Sequence, residues 1–334
     1  MVVAGSANTD MIIKVARIPK AGETILGGAF TSVPGGKGAN QAVAAARAGG
    51  AVTFIARVGQ DVFGDQAIAG YRTDGINVAH VLRDPDHPSG VALIFVGQGG
   101  QNSIAVASGA NGRLSPSDIA RARSAIDRAR VMLLQLETPL KTVAAAVRLA
   151  TSAGVRVILN PAPAQPLPNS LLKHIDWLTP NESEAELLTG VPVRDEASAA
   201  RAAEILLARG VRHVIVTLGE RGALIAGRGM KKLIPSHRVR AVDATGAGDV
   251  FNGALAVALG EGQPLLAAAR FATAAAALSV TRLGAQNSAP MRNEIDALLA
   301  TGKVGRALPA GNHAATAKPQ RTARSGRLVR KSGS

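Results

Sequence analysis

The chain has 334 residues, 47% of them hydrophobic, only 2% aromatic and none of them cysteine, with 38 Lys and Arg against 23 Asp and Glu. The missing cysteine excludes disulfides, cysteine nucleophiles and Cys-based zinc sites and fits a reducing, cytoplasmic setting. No apolar run reaches 18 residues and no charged leader precedes Val2, so neither a membrane span nor a secretory signal is expected. The formal charge of +15 is uneven, because Lys303, Arg306, Lys318, Arg321, Arg324, Arg327, Arg330 and Lys331 lie in a stretch without acids. Residues 1–300 therefore read as one folded domain. Residues 301–334 read as a basic, disordered tail suited at most to weak, salt-sensitive contact with nucleic acid or another polyanion.

In chain order, Val2 to Gly5 reads as a strand ending in Ser6-Ala7-Asn8-Thr9-Asp10, where ligands settle in open α/β sheets. No G-x-G-x-x-G follows it, which argues against a dinucleotide fold. Met11 to Val15 and Thr24 to Val33 are extended, with no helix between them. Val91 to Gly97 and Asn102 to Val106 form a hairpin across Gln98-Gly99-Gly100-Gln101. Together they predict a small antiparallel sheet, a lid inserted over about 9–34 and 90–107. Gly35-Gly36-Lys37-Gly38-Ala39-Asn40-Gln41 opens a helix through Ala48, stopped by Gly49-Gly50, without the spacing of a Walker A loop. Val52 to Val58 follows as a strand, and Gly64 to Thr73 as a helix with Asp61 as its start signal.

From residue 115 the rhythm is regular α/β. Ser115-Pro116-Ser117-Asp118 caps a helix to about Ala129. Strands follow at Val131 to Leu136, Val155 to Asn160, Asp176 to Leu178 and Val214 to Leu218, with helices at Leu140 to Ala153, after Asn181, and at Glu196 to Arg209. Leu224 to Ala226 and Lys232 to Ile234 form a last hairpin, and Leu265 to Val280 and Ile295 to Ala300 close the chain as helices. This alternation predicts a mostly parallel sheet with helices on both faces. Polar residues recur after strand ends at Asn8/Asp10, Glu137, Asn160, Asn181/Glu184, Thr217/Gly219 and Asp243/Asp249, and such ends converge on one crevice.

The run Ser236 to Val242 has strand-like alternation at its end, and Asp243-Ala244-Thr245-Gly246-Ala247-Gly248-Asp249 then turns into a small, apolar helix with Gly253 to Glu261 as its body. Small residues at a helix start leave unpaired N–H groups open to an anion at the positive end of the dipole. Asp249 beside such a site is either a cap or a base aimed at something about to meet a phosphoryl group.

The two glycine-rich signatures, Gly35 to Ala42 and Asp243 to Asp249, resemble the ribokinase-like carbohydrate kinases of the PfkB family. So do Gln135-Leu136-Glu137, Leu159 to Ala164, Leu178 to Glu182 and Thr217-Leu218-Gly219 between them, and the likeness runs from about Val2 to Leu299. The resemblance implies a three-layer α/β/α sandwich with a mostly parallel central sheet and a small β-sheet lid. It implies transfer of the ATP γ-phosphoryl group to a sugar hydroxymethyl oxygen, O5 of D-ribose. Asp249 would be the general base, and Gly246, Ala247 and Gly248 the anion hole. Asn8, Asp10, Gly36, Lys37, Asn40 and Glu137 match sugar-binding positions, with Ala92, Ile94 and Ile104 as apolar lid positions. Asn181 and Glu184 resemble a motif that handles Mg²⁺ through water; an Asn cap with a Glu one turn on is the plain alternative. Thr217, Gly219 and Gly222 match the ATP-side loop, and Thr273 stands where relatives carry His or Asn near adenine, which leaves the base preference open. Asp243, Thr245, Ser279, Arg282, Gly284 and Ser288 correspond to K⁺ ligands, several through backbone carbonyls. A homodimer through the lid is implied as well. Two rivals stay open: a family kinase acting on deoxyribose, fructose or a nucleoside, and a non-catalytic sugar- or polyanion-binding protein. The aromatic-poor lid disfavours a nucleoside.

Overall fold

The computed structural model describes residues 1–99 and 101–302, which belong to one compact unit. From residue 303 on, the reading of a basic tail lies outside the described residues. The strands are β1 (Val2–Ala4), β2 (Asn8–Lys14), β3 (Ala29–Gly35), β4 (Thr53–Gly59), β5 (Asn77–Asp84), β6 (Gly90–Val96), β7 (Asn102–Ala107), β8 (Val131–Leu134), β9 (Arg156–Leu159), β10 (Trp177–Leu178), β11 (His213–Thr217), β12 (Ala223–Gly227) and β13 (Met230–Ile234). The helices are α1 (Lys37–Arg47), α2 (Val62–Thr73), α3 (Pro116–Arg121), α4 (Arg123–Asp127), α5 (Leu140–Ser152), α6 (Asn169–Leu172), α7 (Glu182–Thr189), α8 (Glu196–Ala208), α9 (Ala247–Gly260), α10 (Leu265–Ser279), α11 (Ala285–Ser288) and α12 (Arg292–Thr301).

The main sheet runs β13-β12-β11-β10-β9-β8-β1-β4-β5. It is parallel from β5 to β11, and β12 and β13 close that edge antiparallel. Its strands are apolar at successive positions because both faces are covered. Val3, Phe54, Leu133 and Ile158 pack into one core with α1, α9, α10 and α12. Val2, Ile55, Met132, Leu134 and Leu159 pack into a second core with α5, α7 and α8. Side chains alternate across the pleat, so one run of Val, Ile and Leu feeds both layers.

The four-stranded sheet, in the order β3-β2-β6-β7, is the predicted lid with one correction: β2 pairs with β6 in parallel, so the sheet is mixed rather than antiparallel. The chain reaches β6 from β2 through β3, α1, β4, α2 and β5, and this long crossover permits a parallel neighbour. Two further expectations are corrected. The strand at Ser236 to Val242 does not form, because Val242 and Asp243 both donate to the single carbonyl of Val280 instead of a ladder. The helix to Ala129 breaks at Ala122 into α3 and α4. The helix body read as Gly253 to Glu261 extends back to Ala247, where the turn of small residues already put the helix start.

Candidate active site

The two glycine-rich signatures meet where α9 crosses α1. Gly246, left-handed at φ 74°, turns the chain into α9 so that Asp249 falls in its first turn. Gly253 sets the spacing of the crossing. A Cβ there would lie 2.7 Å from the Gln41 carbonyl oxygen and 2.8 Å from Ala44 Cβ, so only hydrogen allows this approach. The contact brings two amides onto Asp249, which is 6% exposed. Asn40 Nδ2 donates to its Oδ2 and Gln41 Nε2 to its Oδ1, both at 2.9 Å. Burial pushes this carboxyl up from its ordinary pKa, against the Lys37 charge and the two amide donors. Those donors work to keep it a carboxylate.

The implied sugar contacts gather beside it. The Lys37 main-chain N–H donates to Glu137 Oε2 at 2.9 Å, and the Ser6 hydroxyl donates to the same oxygen. Asn8 Oδ1 accepts from Asn111 Nδ2 at 2.7 Å, and Asn111 Oδ1 accepts from the Ala7 N–H at 2.8 Å. Asp10 has its carboxyl pushed up to about 6 by burial, then by Glu137 and Asp249, with Lys37 opposing. Burial pulls the Lys37 ammonium down, but Asp249, Glu137, Glu184 and Asp10 together outweigh it and raise the net value. In the lid, Asp10 pairs with Ala92, Ile12 with Ile94, and Ile94 with Ile104. Strand alternation therefore puts Asp10, Ala92, Ile94 and Ile104 on one face of that sheet. Ala92 is buried, Ile94 half-buried and Ile104 55% exposed.

A cavity of about 160 Å³ opens beside these groups, and its lining joins Lys37, Asn160, Asn181, Glu184 and Thr217 to the turn from Gly246 to Asp249. Asn181 and Glu184 form a capping box: Asn181 Oδ1 accepts the Glu184 N–H at 2.8 Å and Glu184 Oε2 accepts the Asn181 N–H at 2.9 Å. The plain capping reading is therefore met, and the same two residues line the cavity. Burial raises the Glu184 carboxyl against the Asn181 bond and Lys37. Gly219 and Gly222 lie in the turn after β11, where Leu218 donates to the Gly222 carbonyl at 2.8 Å. Thr273 is not brought to this cavity; it is buried on α10 with its hydroxyl on the Ala269 carbonyl at 2.8 Å. A larger cavity, about 550 Å³, lies at the opposite ends of β9 to β11. Its Arg212 is paired with Asp176 at 3.0 Å and its Arg156 with the Leu259 carbonyl at 2.9 Å, so the larger volume is not where the chemistry gathers.

Of the residues matched to a K⁺ site, hydrogen bonds join Asp243, Thr245 and Gly284. Asp243 Oδ1 accepts from the Thr245 N–H at 2.9 Å and the Thr245 hydroxyl at 2.6 Å, and Oδ2 accepts from the Gly284 N–H at 2.8 Å. Burial pushes Asp243 up, but these bonds outweigh it and hold the carboxyl below its ordinary value. Ser279 and Ser288 are buried, with hydroxyls on the Ala276 and Ala285 carbonyls. The Arg282 guanidinium is committed to Glu294, which leaves only its main chain for such a role.

Sequence reasoning missed the second layer: Gln41, Gln135, Asn111 and Gln286. Gln286 Nε2 donates to Asn40 Oδ1 at 3.1 Å across 246 positions of sequence. No local pattern carries that contact, although Gln41 lies inside the first signature.

Residues 1–292 match the family described as pfkB family carbohydrate kinase. Over 294 residues the chain is 45% identical to the ribokinase of Haemophilus influenzae, covering 88% of this chain and 96% of that one. Over 289 residues it is 43% identical to the deoxyribokinase of Salmonella typhi, covering 86% of this chain and 94% of that one. The structure of Arabidopsis thaliana ribokinase complexed with ribose and ATP matches with a TM-score of 0.83 at 36% identity, covering 89% of this chain and 97% of that chain.

Proposed function

This chain belongs to the pfkB family of carbohydrate kinases, and we propose that it transfers the γ-phosphoryl group of ATP to O5 of D-ribose, giving D-ribose 5-phosphate and ADP. One observation carries the reading: a buried carboxylate, Asp249, oriented by two amides immediately behind a turn of small residues at a helix start. As O5 bonds to the γ-phosphorus and the bridge to the β-phosphate breaks, the O5 proton passes to Asp249. The N–H groups of Gly246, Ala247 and Gly248 face the charge on the moving phosphoryl group, and Lys37 adds a cation beside it. Asn8, Asp10, Gly36, Asn40 and Glu137 supply acceptors and an amide for the vicinal hydroxyls of the sugar, and Ala92, Ile94 and Ile104 exclude water from above.

Among the described residues no three His, Cys, Asp or Glu form a metal cage. That suits Mg²⁺ carried on ATP phosphates, with Glu184 and Asn181 acting through water, since this ion keeps much of its hydration. Mg²⁺ would neutralise phosphate charge when bound. Asp243 and Thr245, with main-chain carbonyls at Ser279, Arg282, Gly284 and Ser288, offer an all-oxygen set that fits K⁺ beside the anion turn. Thr217, Gly219 and Gly222 would border ATP. The protein acts in the cytoplasm as a homodimer joined through the lid.

A second reading, phosphorylation of 2-deoxyribose, is favoured by the 43% identity to a deoxyribokinase. Coupled ADP release over ribose, 2-deoxyribose, fructose and nucleosides, with and without K⁺, separates the two. The highest kcat/KM should fall on ribose. Asp249→Asn should lower kcat by about 10³-fold or more. Turnover highest on another sugar, or an active Asp249→Asn enzyme, overturns the proposal.

A further inference from the structure

Gln41 sits beneath the site rather than in it. Its side chain is fully buried, it is absent from the cavity lining, and its amide makes three bonds. Nε2 donates to Asp249 Oδ1 at 2.9 Å and to Asn160 Oδ1 at 3.0 Å, and Oε1 accepts from Gln135 Nε2. An amide side chain can usually be turned end for end, but here both neighbours forbid it. Asn160 Nδ2 donates to the main-chain carbonyl of Thr179 at 3.1 Å, and a carbonyl only accepts. The oxygen of Asn160 must then face Gln41, and Gln41 must answer with N–H. On the other side a carboxylate at Asp249 also only accepts. The run of fixed polarity ends at Gln135, whose Oε1 is buried with no partner among the described residues and points at Gly5, where a Cβ would lie 2.0 Å from it. Turning Gln135 round would set oxygen against oxygen, so the unpaired atom is the residual cost of holding Gln41 in one orientation.

The geometry points to Gln41 as a positioning residue for Asp249. It presents an N–H whose direction the Thr179 carbonyl dictates through Asn160, and so aims the carboxylate and favours its ionised form. This rests on the reading of Asp249 as general base. The other groups facing Asp249 are Lys37 on α1, Glu137 after β8, Asp10 on β2 and Glu184 on α7, and Asn40 holds its second oxygen. The carboxylates raise the proton affinity of Asp249, while Lys37 and the two amides lower it.

The test is the pH profile of kcat in Gln41→Met, which keeps the length of the side chain and loses the donor. The acidic limb should move upward by about one pH unit, since a hydrogen bond to a charged group has roughly that worth. kcat at neutral pH should fall by about tenfold or more, and the KM for ribose should change by less than about threefold, because Gln41 touches no substrate. If Gln41→Met does not fold, Gln41→Glu, equal in shape, serves. Its second carboxylate against Asp249 should move the limb further in the same direction. A folded variant with the wild-type limb, or a loss confined to KM, overturns the proposal. Asp249→Asn measured alongside separates the two failures: if it turns over, the base assignment is wrong; if it is dead while the limb of Gln41→Met is unmoved, only the role of Gln41 is wrong.

Discussion

Around Asp249, the polar side chains of Asn8, Asn40, Gln41 and Asn160 are each under a tenth exposed and bonded to Asp249, to other buried amides or to main chain. On the four-stranded sheet that carries Asn8 and Asp10, the apolar side chains stand in the open: Phe30 is 64% exposed, Leu93 50% and Val106 52%. The floor buries what is usually exposed, and the lid exposes what is usually buried. The floor can do so because the core that packs α1 against α9 holds both helices in place and fixes its donors before substrate arrives. The lid has no core on either face. An open apolar surface of this kind suits a part whose proposed work is excluding water rather than aiming charge.

The sharpest way to break this contrast is at the crossing of α1 and α9. Gly253→Leu should force the helices apart at the Gln41 carbonyl and Ala44, at a cost of about 1–3 kcal/mol. It should also misplace both amides on Asp249, so kcat should drop by about 100-fold, since a shift of about 1 Å is enough for that. Urea unfolding and steady-state kinetics read the two effects. A variant that loses stability but keeps kcat would mean that the floor does not depend on this contact.

A surface change on the lid should do the reverse. Ile104→Asp places a charge on the exposed apolar face opposite Ile94. It should shift the protein from dimer to monomer in sedimentation and raise the KM for ribose by about tenfold. Unfolding should change by less than about 0.5 kcal/mol, as at other exposed sites. A dimer that persists would place the interface elsewhere.

The contrast also explains what could be read from sequence. The two glycine-rich turns, the lid strands and the convergence of polar strand ends were legible because backbone conformation and two-residue alternation leave local marks. The Asn181–Glu184 box was legible for the same reason. β5 was not read, since Asn77 to Asp84 mixes His80, Arg83 and Asp84 into an edge strand of half-buried pattern. Ser236 to Val242 has strand-like alternation at its end but no ladder to join. The amides beneath Asp249 were invisible for another reason: Gln41 meets Gln135, Asn160 and Asp249 at 94, 119 and 208 residues' distance. A buried Gln looks like a surface Gln until the fold supplies its partners.

Asp10 belongs to both regions: its strand is part of the lid, but its carboxyl answers to the floor. Burial first, then Glu137 and Asp249, raise it from an ordinary 3.8 to about 6, against Lys37. A carboxyl raised on folding binds its proton more tightly in the folded state. Its contribution to stability is full below about pH 4 and is lost as pH rises to about 6. Near pH 7 the charged side chain is therefore a net cost to the ligand-free fold. Asp10→Asn should stabilise the ligand-free protein there by on the order of 1–2 kcal/mol, a value reduced for partial exposure to solvent. The gain should vanish near pH 4, where wild type is already neutral at this position. The same substitution removes an anionic acceptor for sugar hydroxyls, so the KM for ribose should rise while stability improves. In wild type, that KM should climb as pH falls through about 6. Urea unfolding of the variant and wild type near pH 4 and pH 7 decides the matter: an equal gain at both would assign the effect to packing, and the charge on Asp10 would then have no part in it.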